Sequence, residues 1–204
     1  MESKGKFYVF EGDNGVGKSS IIERLEASLP AKRIATPTKE YEKIRDYVHA
    51  TNSTYGRFFY YLSSVFDASK KIEGLLKEDS KIIICDRYIV STLAGFWATS
   101  DWELRKLKEF YDSIKDGLVM PDLTFLLRCS HEERVRRISQ RNKGDSKKRD
   151  DLTPGYAAKI SQFHDLLLEY ETNWHMIDTT DKSIDTVVQE ISGVISDGSL
   201  SVSP

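Results

Sequence analysis

The residues of this chain best suited to chemistry form a glycine-rich loop close to its start. Residues 12–19 read GDNGVGKS and match the spacing G-x-x-x-x-G-K-[ST]. Glycine lets the backbone bend closely around phosphate oxygens, so that successive N–H groups point at them. The lysine would reach the β- and γ-phosphates of a nucleotide, and the first serine hydroxyl would hold Mg²⁺. The residues assigned to the nucleotide are Gly12, Asp13, Asn14, Gly15, Val16, Gly17, Lys18, Ser19 and Ser20.

The position of this loop between two regular elements supports the interpretation. The apolar run 6–11 precedes it and predicts a buried strand, and residues 17–29 have the spacing of a helix. The positive N-terminal end of that helix would face the same anion. A glycine-rich turn that binds nothing is the alternative, and the strand–loop–helix context argues against it. The loop by itself does not distinguish a kinase from a GTPase or an ATPase.

A second cluster of reactive side chains follows the apolar run 81–86. Asp86 could bind the metal through water as the acidic partner of Ser19, and the planar fork of Arg87 suits a phosphate. The alternative is a surface ion pair of little consequence for stability. A GTPase would more often show D-x-x-G here and N-K-x-D later, and neither pattern stands in the right place.

The elements that must position these residues alternate along the chain. Strands are predicted at 6–11, 33–36, 81–86, 122–128 and 175–178, and helices at 17–29, 39–50, 57–77, 101–115, 131–141, 154–170 and 183–195. Asp101 and Ser183 are candidate helix caps. This order predicts an α/β fold with a doubly wound, parallel five-stranded sheet, whose ligands bind at the carboxyl ends of the strands. We expect one domain over residues 1–196 and a disordered tail over 197–204.

A basic stretch between residues 134 and 149 has two interpretations. Its cations are Arg134, Arg136, Arg137, Arg141, Lys143, Lys147, Lys148 and Arg149. Such a run is most often a solvated helix face or a nucleic-acid patch. Three of its arginines share one helical face, and the polar, glycine-containing segment after them is typical of a mobile loop. We therefore expect a lid over about residues 141–153, with cations that neutralise charge as it closes.

Composition excludes several classes of protein. The 204 residues carry a net charge of −2, which gives no general attraction to nucleic acid. We see neither a leader-like start nor an apolar run of membrane-spanning length. The two cysteines, Cys85 and Cys129, stand among apolar residues and are expected to be buried free thiols. We expect a cytoplasmic protein that binds neither membranes nor nucleic acid.

Four segments of the sequence resemble successive blocks of the thymidylate kinase family. They are FEGDNGVGKSS, CDRYIVSTLAG, PDLTFLLRC and NWHMIDTTDKSIDTVVQEI, and the resemblance extends over about residues 6–195. It implies a P-loop nucleoside monophosphate kinase that uses ATP and Mg²⁺ to phosphorylate dTMP to dTDP. It also implies a mobile lid and a homodimer.

The resemblance also implies roles for individual residues. Arg87 would bind the acceptor phosphate, Asp86 would lie beside the transferred group and its metal, and Ser91 would line the acceptor-base pocket. Lys39 falls near a family arginine that contacts the acceptor phosphate, and it keeps the charge without the fork. Since Gly15 stands where some members carry the catalytic arginine, the lid should supply it. The lid candidates are Arg141 and Arg149, with Lys148 as substitute. Arg141 could equally stack on adenine, near Thr180 and Lys182 in the loop after the last strand.

Several positions depart from the family pattern on the acceptor side. Asn14 replaces an acid that would accept a hydrogen bond from the acceptor sugar, which predicts a weaker or altered sugar preference. Ala68 falls where the family has a base-reading arginine, and Gly95-Phe96 replaces an aromatic and a Gln or Thr. Among the aromatic residues of 57–67, Tyr61, Phe66 or Phe58 could stack on the base. The alternatives to a dTMP kinase are a kinase for another pyrimidine monophosphate, a deoxynucleoside kinase, and a P-loop protein without catalysis.

Overall fold

A computed structural model describes residues 5–78, 82–141, 154–170 and 172–197. Its sheet contains the strands β1 (Lys6–Glu11), β2 (Ala31–Ala35), β3 (Ile82–Asp86), β4 (Leu123–Arg128) and β5 (Trp174–Asp178). They are arranged in the order β2-β3-β1-β4-β5, and each neighbouring pair is parallel. The predicted five-stranded parallel sheet is confirmed.

Helices cover both faces of the sheet. They are α1 (Lys18–Ser28), α2 (Lys39–Glu42), α3 (Arg45–Thr51), α4 (Thr54–Lys77), α5 (Ile89–Thr99), α6 (Leu104–Ile114), α7 (His131–Arg141), α8 (Pro154–Tyr170) and α9 (Ile184–Asp197), with a 3-10 turn at Lys115–Gly117. The single helix predicted over 39–50 is wrong, because the chain breaks there into α2 and α3. The predicted cap Asp101 is also wrong: Glu103 occupies the N-cap of α6. The Ser183 hydroxyl does accept a hydrogen bond from the Thr186 amide, as a cap should.

The alternation of side chains along β1 explains why both faces are covered. Phe7 and Val9 pack into one core with α4, α5, α6 and α8, whereas Tyr8 and Phe10 pack into a second core with α1 and α9. Because successive strand residues point to opposite faces, a strand with apolar residues at every position must be buried on both sides. The doubly wound architecture follows from that pattern.

The carboxyl edge of the sheet brings the two predicted clusters together. Phe10 is paired with Asp86 in the register of β1 and β3, so the chain leaves both strands at the same level. The Arg87 amide then donates to the Phe10 carbonyl oxygen at 3.0 Å. The glycine-rich loop and the segment after β3 are therefore neighbours.

Parts of the predicted organisation lie outside the described residues. They include most of the lid, residues 142–153, and the tail from residue 198 onward. The single domain and its lid stay predictions. No helix in the described part of the chain has the length and apolar character needed to cross a membrane.

Candidate active site

The glycine-rich loop adopts backbone angles that only glycine reaches without strain. Gly12, Gly15 and Gly17 have φ values of 132°, 91° and 96°. A Cβ atom on Gly12 would lie 2.3 Å from the carbonyl oxygen of Leu127 in β4, which no rearrangement of a side chain could relieve. Gly17 begins α1 without any side-chain cap. The loop therefore has the shape of an anion cradle at a helix N-terminus.

The packing of Gly15 against α7 gives a first prediction. A Cβ atom at Gly15 would lie 2.9 Å from both Arg134 Cγ and Ile138 Cγ1, close to the backbone of α7. With the positive φ, we expect Gly15→Ala to lower the free energy of unfolding by about 2 kcal/mol, measured by urea denaturation. Gly74→Ala is the matched control, because a Cβ at this helical glycine would have no described atom within 4 Å and should stabilise by about 0.5 kcal/mol. Equal effects of the two substitutions would contradict the packing argument.

Lys18 lies buried beneath the loop. Its Nζ donates to the carbonyl oxygens of Gly12 at 3.0 Å and Asp13 at 3.3 Å, and the residue is 6% exposed. Burial, reinforced by the positive charge of Arg87, lowers the pKa of Lys18 to about 7 even though carboxylates nearby oppose the shift. A lysine held in this way is poised to become fully charged when an anion arrives.

The buried carboxylate of Glu11 holds the segment after β3 in place through hydrogen bonds. Its carboxylate accepts hydrogen bonds from the amides of Tyr88 at 2.9 Å and Ser91 at 3.3 Å, and from the Ser91 hydroxyl. Burial raises the pKa of Glu11, while the Ser91 hydroxyl and the charge of Arg87 act in the opposite direction. These contacts fix the start of α5, because a carboxylate there meets the unsatisfied amides of the first helical turn.

Arg87 is held in an extended network above this support. Its backbone lies in the left-handed region with φ 66°. Its Nη1 donates to Ser91 Oγ at 3.0 Å and its Nη2 donates to Asn14 Oδ1 at 2.8 Å. Strained backbone of this kind is typical of functional sites. Ser91 and Asn14 therefore hold the Arg87 guanidinium from two sides, and both also line the cleft described below.

Asp86 and Ser19 line the same cleft beside Lys18. One carboxylate oxygen of Asp86 accepts a hydrogen bond from Arg33 Nη2 at 2.9 Å. Among the described residues, no group of three or more His, Cys, Asp or Glu side chains could hold a metal alone. A hydroxyl and one carboxylate suit Mg²⁺, which prefers few protein ligands and takes the remainder from phosphates and water.

Helix α7 is fastened to the glycine-rich loop. Arg134 forms an ion pair with Asp13 and is 5% exposed. Arg137 donates to the Thr179 hydroxyl at 3.0 Å and the Thr179 carbonyl oxygen at 2.7 Å, and it is paired with Glu133. These two arginines connect α7 to the loop and to the segment after β5.

A cleft of about 510 Å³ extends from the loop to an aromatic end between α4 and α5. There Phe58 and Phe96 stack with ring centroids 4.1 Å apart, and both line the cleft. Tyr61 Oη lies 2.7 Å from Nε2 of His49 on α3. The cleft thus joins a phosphate-binding end to an apolar slot of the kind that accepts a flat ring.

The cleft gathers only some of the predicted residues. Those that line it are Gly12, Asp13, Asn14, Lys18, Ser19, Phe58, Tyr61, Asp86, Arg87 and Ser91. Lys39 begins α2 and is not among the described lining residues, and Phe66 lies against Gly117 instead. Thr180 donates to Asp178, and Lys182 is paired with Glu190. Ala68 is fully buried in the core. The Arg141 side chain and Arg149 lie outside what the structure describes.

Sequence reasoning missed several residues of the cleft. They are Arg45, His49, Arg57, Thr92, Tyr156 and His164. The four-residue spacing of Tyr156, Ile160 and His164 on α8 was a usable signal, because such residues share one helical face. Nothing in the sequence separated the arginines of α3 and α4 from ordinary surface cations. Both cysteines are free, Cys85 buried and Cys129 only half-buried.

Comparison with known proteins agrees with this geometry. A family model described as thymidylate kinase matches residues 10–191. The thymidylate kinase of Clostridium novyi is 27% identical over 95% of this chain and 99% of its own length. A probable thymidylate kinase of Methanococcus maripaludis is 29% identical over 94% of this chain and 96% of its own length. The solved structure of thymidylate kinase from Candida albicans shares the fold, with a TM-score of 0.76 and 24% identity over 96% of this chain and 92% of that one. The chain therefore belongs to the thymidylate kinase family and is a nucleoside monophosphate kinase.

Proposed function

We propose that this enzyme transfers the γ-phosphoryl group of ATP to dTMP and forms dTDP, with Mg²⁺ bound to the donor. The observation that carries the proposal is a single cleft with Lys18 and the glycine-rich loop beside Arg87, followed by an aromatic slot. Family membership supports the reaction class, and this cleft suits its two substrates.

The donor side follows from the loop. Its N–H groups and the N-terminus of α1 would cradle the β- and γ-phosphates, and Lys18 would turn from its own loop carbonyls toward them. Ser19 and Asp86 would hold Mg²⁺, which would neutralise charge on the phosphates. A lid arginine, Arg141 or Arg149, would complete the charge neutralisation, and Thr180 and Lys182 would lie near adenine.

Charge in the cleft favours a monophosphate acceptor over a nucleoside. A nucleoside kinase needs a carboxylate base near the attacking hydroxyl. Among the described residues that line the cleft, the carboxylates are Asp13 and Asp86, and each is paired with an arginine. Arg87 offers a fork to an acceptor phosphate, which is already a nucleophile and requires positioning more than a base.

The aromatic slot supports a pyrimidine acceptor but also a second candidate. Phe58 and Phe96, which stack on each other, give this end of the cleft an apolar aromatic wall against which a flat base could pack. Ala68 stands where the family has an arginine that contacts the base, and it lies in the core. Asn14 stands where the family has an acid that contacts the sugar, and its Oδ1 accepts a hydrogen bond from Arg87. A related pyrimidine monophosphate is therefore the second candidate acceptor.

We also propose that the enzyme is a homodimer and is located in the cytoplasm. The family resemblance supports the dimer, and two free cysteines accord with a reducing compartment. Light scattering after size exclusion tests the dimer.

An ADP-release assay with Mg-ATP and a panel of acceptors tests the proposed reaction. We expect turnover with dTMP and little with thymidine. ADP formed with nucleosides but with none of the monophosphates would overturn the proposal, and a preference for another pyrimidine monophosphate would select the second candidate.

The low pKa of Lys18 makes ATP binding depend on pH. Above pH 7 the free enzyme holds this amine mainly neutral, whereas bound phosphates favour its charged form, so binding must take up a proton. We expect the affinity for Mg-ATP to fall by up to about tenfold per pH unit above 7. Calorimetry at pH 8 in two buffers with different ionisation enthalpies should show an uptake that Lys18→Met abolishes. A constant affinity between pH 7 and 9 would contradict this.

A further inference from the structure

One face of α8 forms a wall of the cleft that the proposed mechanism does not use. Tyr156, Ile160 and His164 share this face and line the cleft. The Tyr156 hydroxyl lies 3.6 Å from where a Cβ of Gly95 would stand on α5, next to Phe96 at the aromatic end of the cleft. His164 comes two turns later, about 12 Å further along the helix. The face therefore extends from the aromatic slot inward to the phosphate end.

His164 carries a buried polar atom that no described residue meets with a hydrogen bond. The residue is 4% exposed, and its Nε2 has no hydrogen-bond partner among the described residues. A buried imidazole nitrogen left in this state costs stability, so such atoms are rare in native proteins. Together with its place on the cleft wall, this atom suggests that a ligand completes its hydrogen bonding.

The charges around His164 define that ligand. Burial, followed by the positive charges of Arg128 and Arg87, lowers its pKa to about 3, with Lys18 acting in the same sense and Asp165 against it. The ring is therefore neutral and can donate through one nitrogen only. A surrounding field dominated by cations attracts an anion, and an anion at Nε2 selects the tautomer that carries its proton there.

We propose that His164 binds the phosphate of the acceptor nucleotide, with Nε2–H donating to a phosphate oxygen alongside Arg87. The inference rests on the proposed function and adds a specificity-determining contact to it. The acceptor phosphate is the choice because His164 lies within the field of Arg87, the residue proposed to bind that phosphate, and because α8 packs against α5, which follows Arg87 in the chain. The donor phosphates are instead assigned to the glycine-rich loop and α1. His164 thus helps distinguish a nucleoside monophosphate from a nucleoside.

The test compares a variant that lacks the imidazole nitrogens with the wild type, and a ligand that lacks the phosphate with dTMP. Calorimetry would measure dTMP and thymidine binding to the wild type and to His164→Phe. Because His164→Phe removes a hydrogen bond to a charged phosphate, the preference for dTMP over thymidine should fall about tenfold or more. The affinity for thymidine should not change. His164→Gln, which can donate an N–H at similar reach, should recover part of the preference. The KM for Mg-ATP should not change.

A thermal melt separates ligand binding from a structural role. Because His164→Phe replaces an unpartnered polar atom with an apolar ring, the free variant should melt at the wild-type temperature or above. A melting temperature several degrees lower would indicate a structural histidine and overturn the proposal. His175→Phe, a histidine on β5 outside the described lining of the cleft, is the matched control and should leave the dTMP preference unchanged.

Failure of the inference differs from failure of the proposed function. An unchanged dTMP preference in His164→Phe, equal loss of dTMP and thymidine binding, or an effect confined to Mg-ATP would each overturn the role of His164 while the wild type still phosphorylates dTMP. A wild type that phosphorylates no monophosphate would overturn the proposed function instead.

Discussion

Replacement of Lys18 by methionine is expected to lower kcat for dTMP phosphorylation at least about a thousandfold, or roughly 4 kcal/mol of transition-state stabilisation. Lys18 is the cation that the glycine-rich loop places at the phosphates, and its Nζ donates to the loop carbonyl oxygens of Gly12 and Asp13. Positioning and charge neutralisation carry phosphoryl transfer, so loss of this charge should affect the chemical step more than the fold. Steady-state ADP release measures the change.

The fold should tolerate this substitution. Methionine fills a similar volume, and it removes an amine whose charged form is costly to bury at 6% exposure. We therefore expect an unchanged or slightly higher melting temperature for Lys18→Met, and loss of turnover without unfolding for Lys18→Ala. Lys70→Met is the matched control, because Lys70 lies exposed on α4 with Glu73 as its partner. Activity above about a tenth of wild type in Lys18→Met would contradict the assignment of the loop.

Replacement of Glu11 by alanine is expected to lower the free energy of unfolding by about 3 kcal/mol. The carboxylate is fully buried and accepts from two amides and one hydroxyl at the start of α5. Its loss leaves those donors without an acceptor away from water, at about 1–3 kcal/mol each. Relief of the buried charge offsets part of that cost. Urea denaturation measures the change as a shifted midpoint with an unchanged slope.

The same substitution should also weaken acceptor binding. Ser91 links the Glu11 carboxylate to Arg87. Without Glu11, Ser91 is no longer held in place, and Asn14 is left as the other side chain that positions the guanidinium. The KM for dTMP should rise by about tenfold, whereas Glu11→Gln, which keeps an acceptor oxygen, should show smaller changes in both quantities. Glu23→Ala, at an exposed position on α1, is the control and should change stability by less than about 0.5 kcal/mol. A loss below about 1 kcal/mol in Glu11→Ala would contradict the supporting role.

Strands were predictable because their signal is local. The short run KIIICD has apolar residues at successive positions, which is typical of a strand buried on both faces, and β3 covers Ile82–Asp86. Helix α5 was not predicted, for a related reason. Six of its residues are buried, Ile89, Val90, Leu93, Ala94, Phe96 and Trp97, so it lacks the polar stripe from which periodicity identifies a helix.

Roles that depend on a partner distant in sequence were not predictable. Arg134 and Arg137 share a helical face with Arg141, which supported the predicted lid, and only the structure shows their contacts with Asp13 and Thr179. Ser91 was expected in the wall of the base pocket, and nothing in the sequence indicated that it also links Glu11 to Arg87. The contacts of Arg134, Arg137 and Ser91 with Asp13, Thr179 and Glu11 each join segments more than 40 residues apart, and no local pattern encodes them.

The sequence by itself determined the phosphate-binding loop, the acidic and basic pair after β3 and the five strands in their order along the chain, because each depends on residue types at fixed short spacings. Only the tertiary structure decided which side chains meet in the cleft. His164 shows the difference: on an apolar helix face it is indistinguishable from a core histidine in the sequence. The packing of α8 against α5 leaves its Nε2 unpartnered, among the described residues, beside the charges of Lys18 and Arg87.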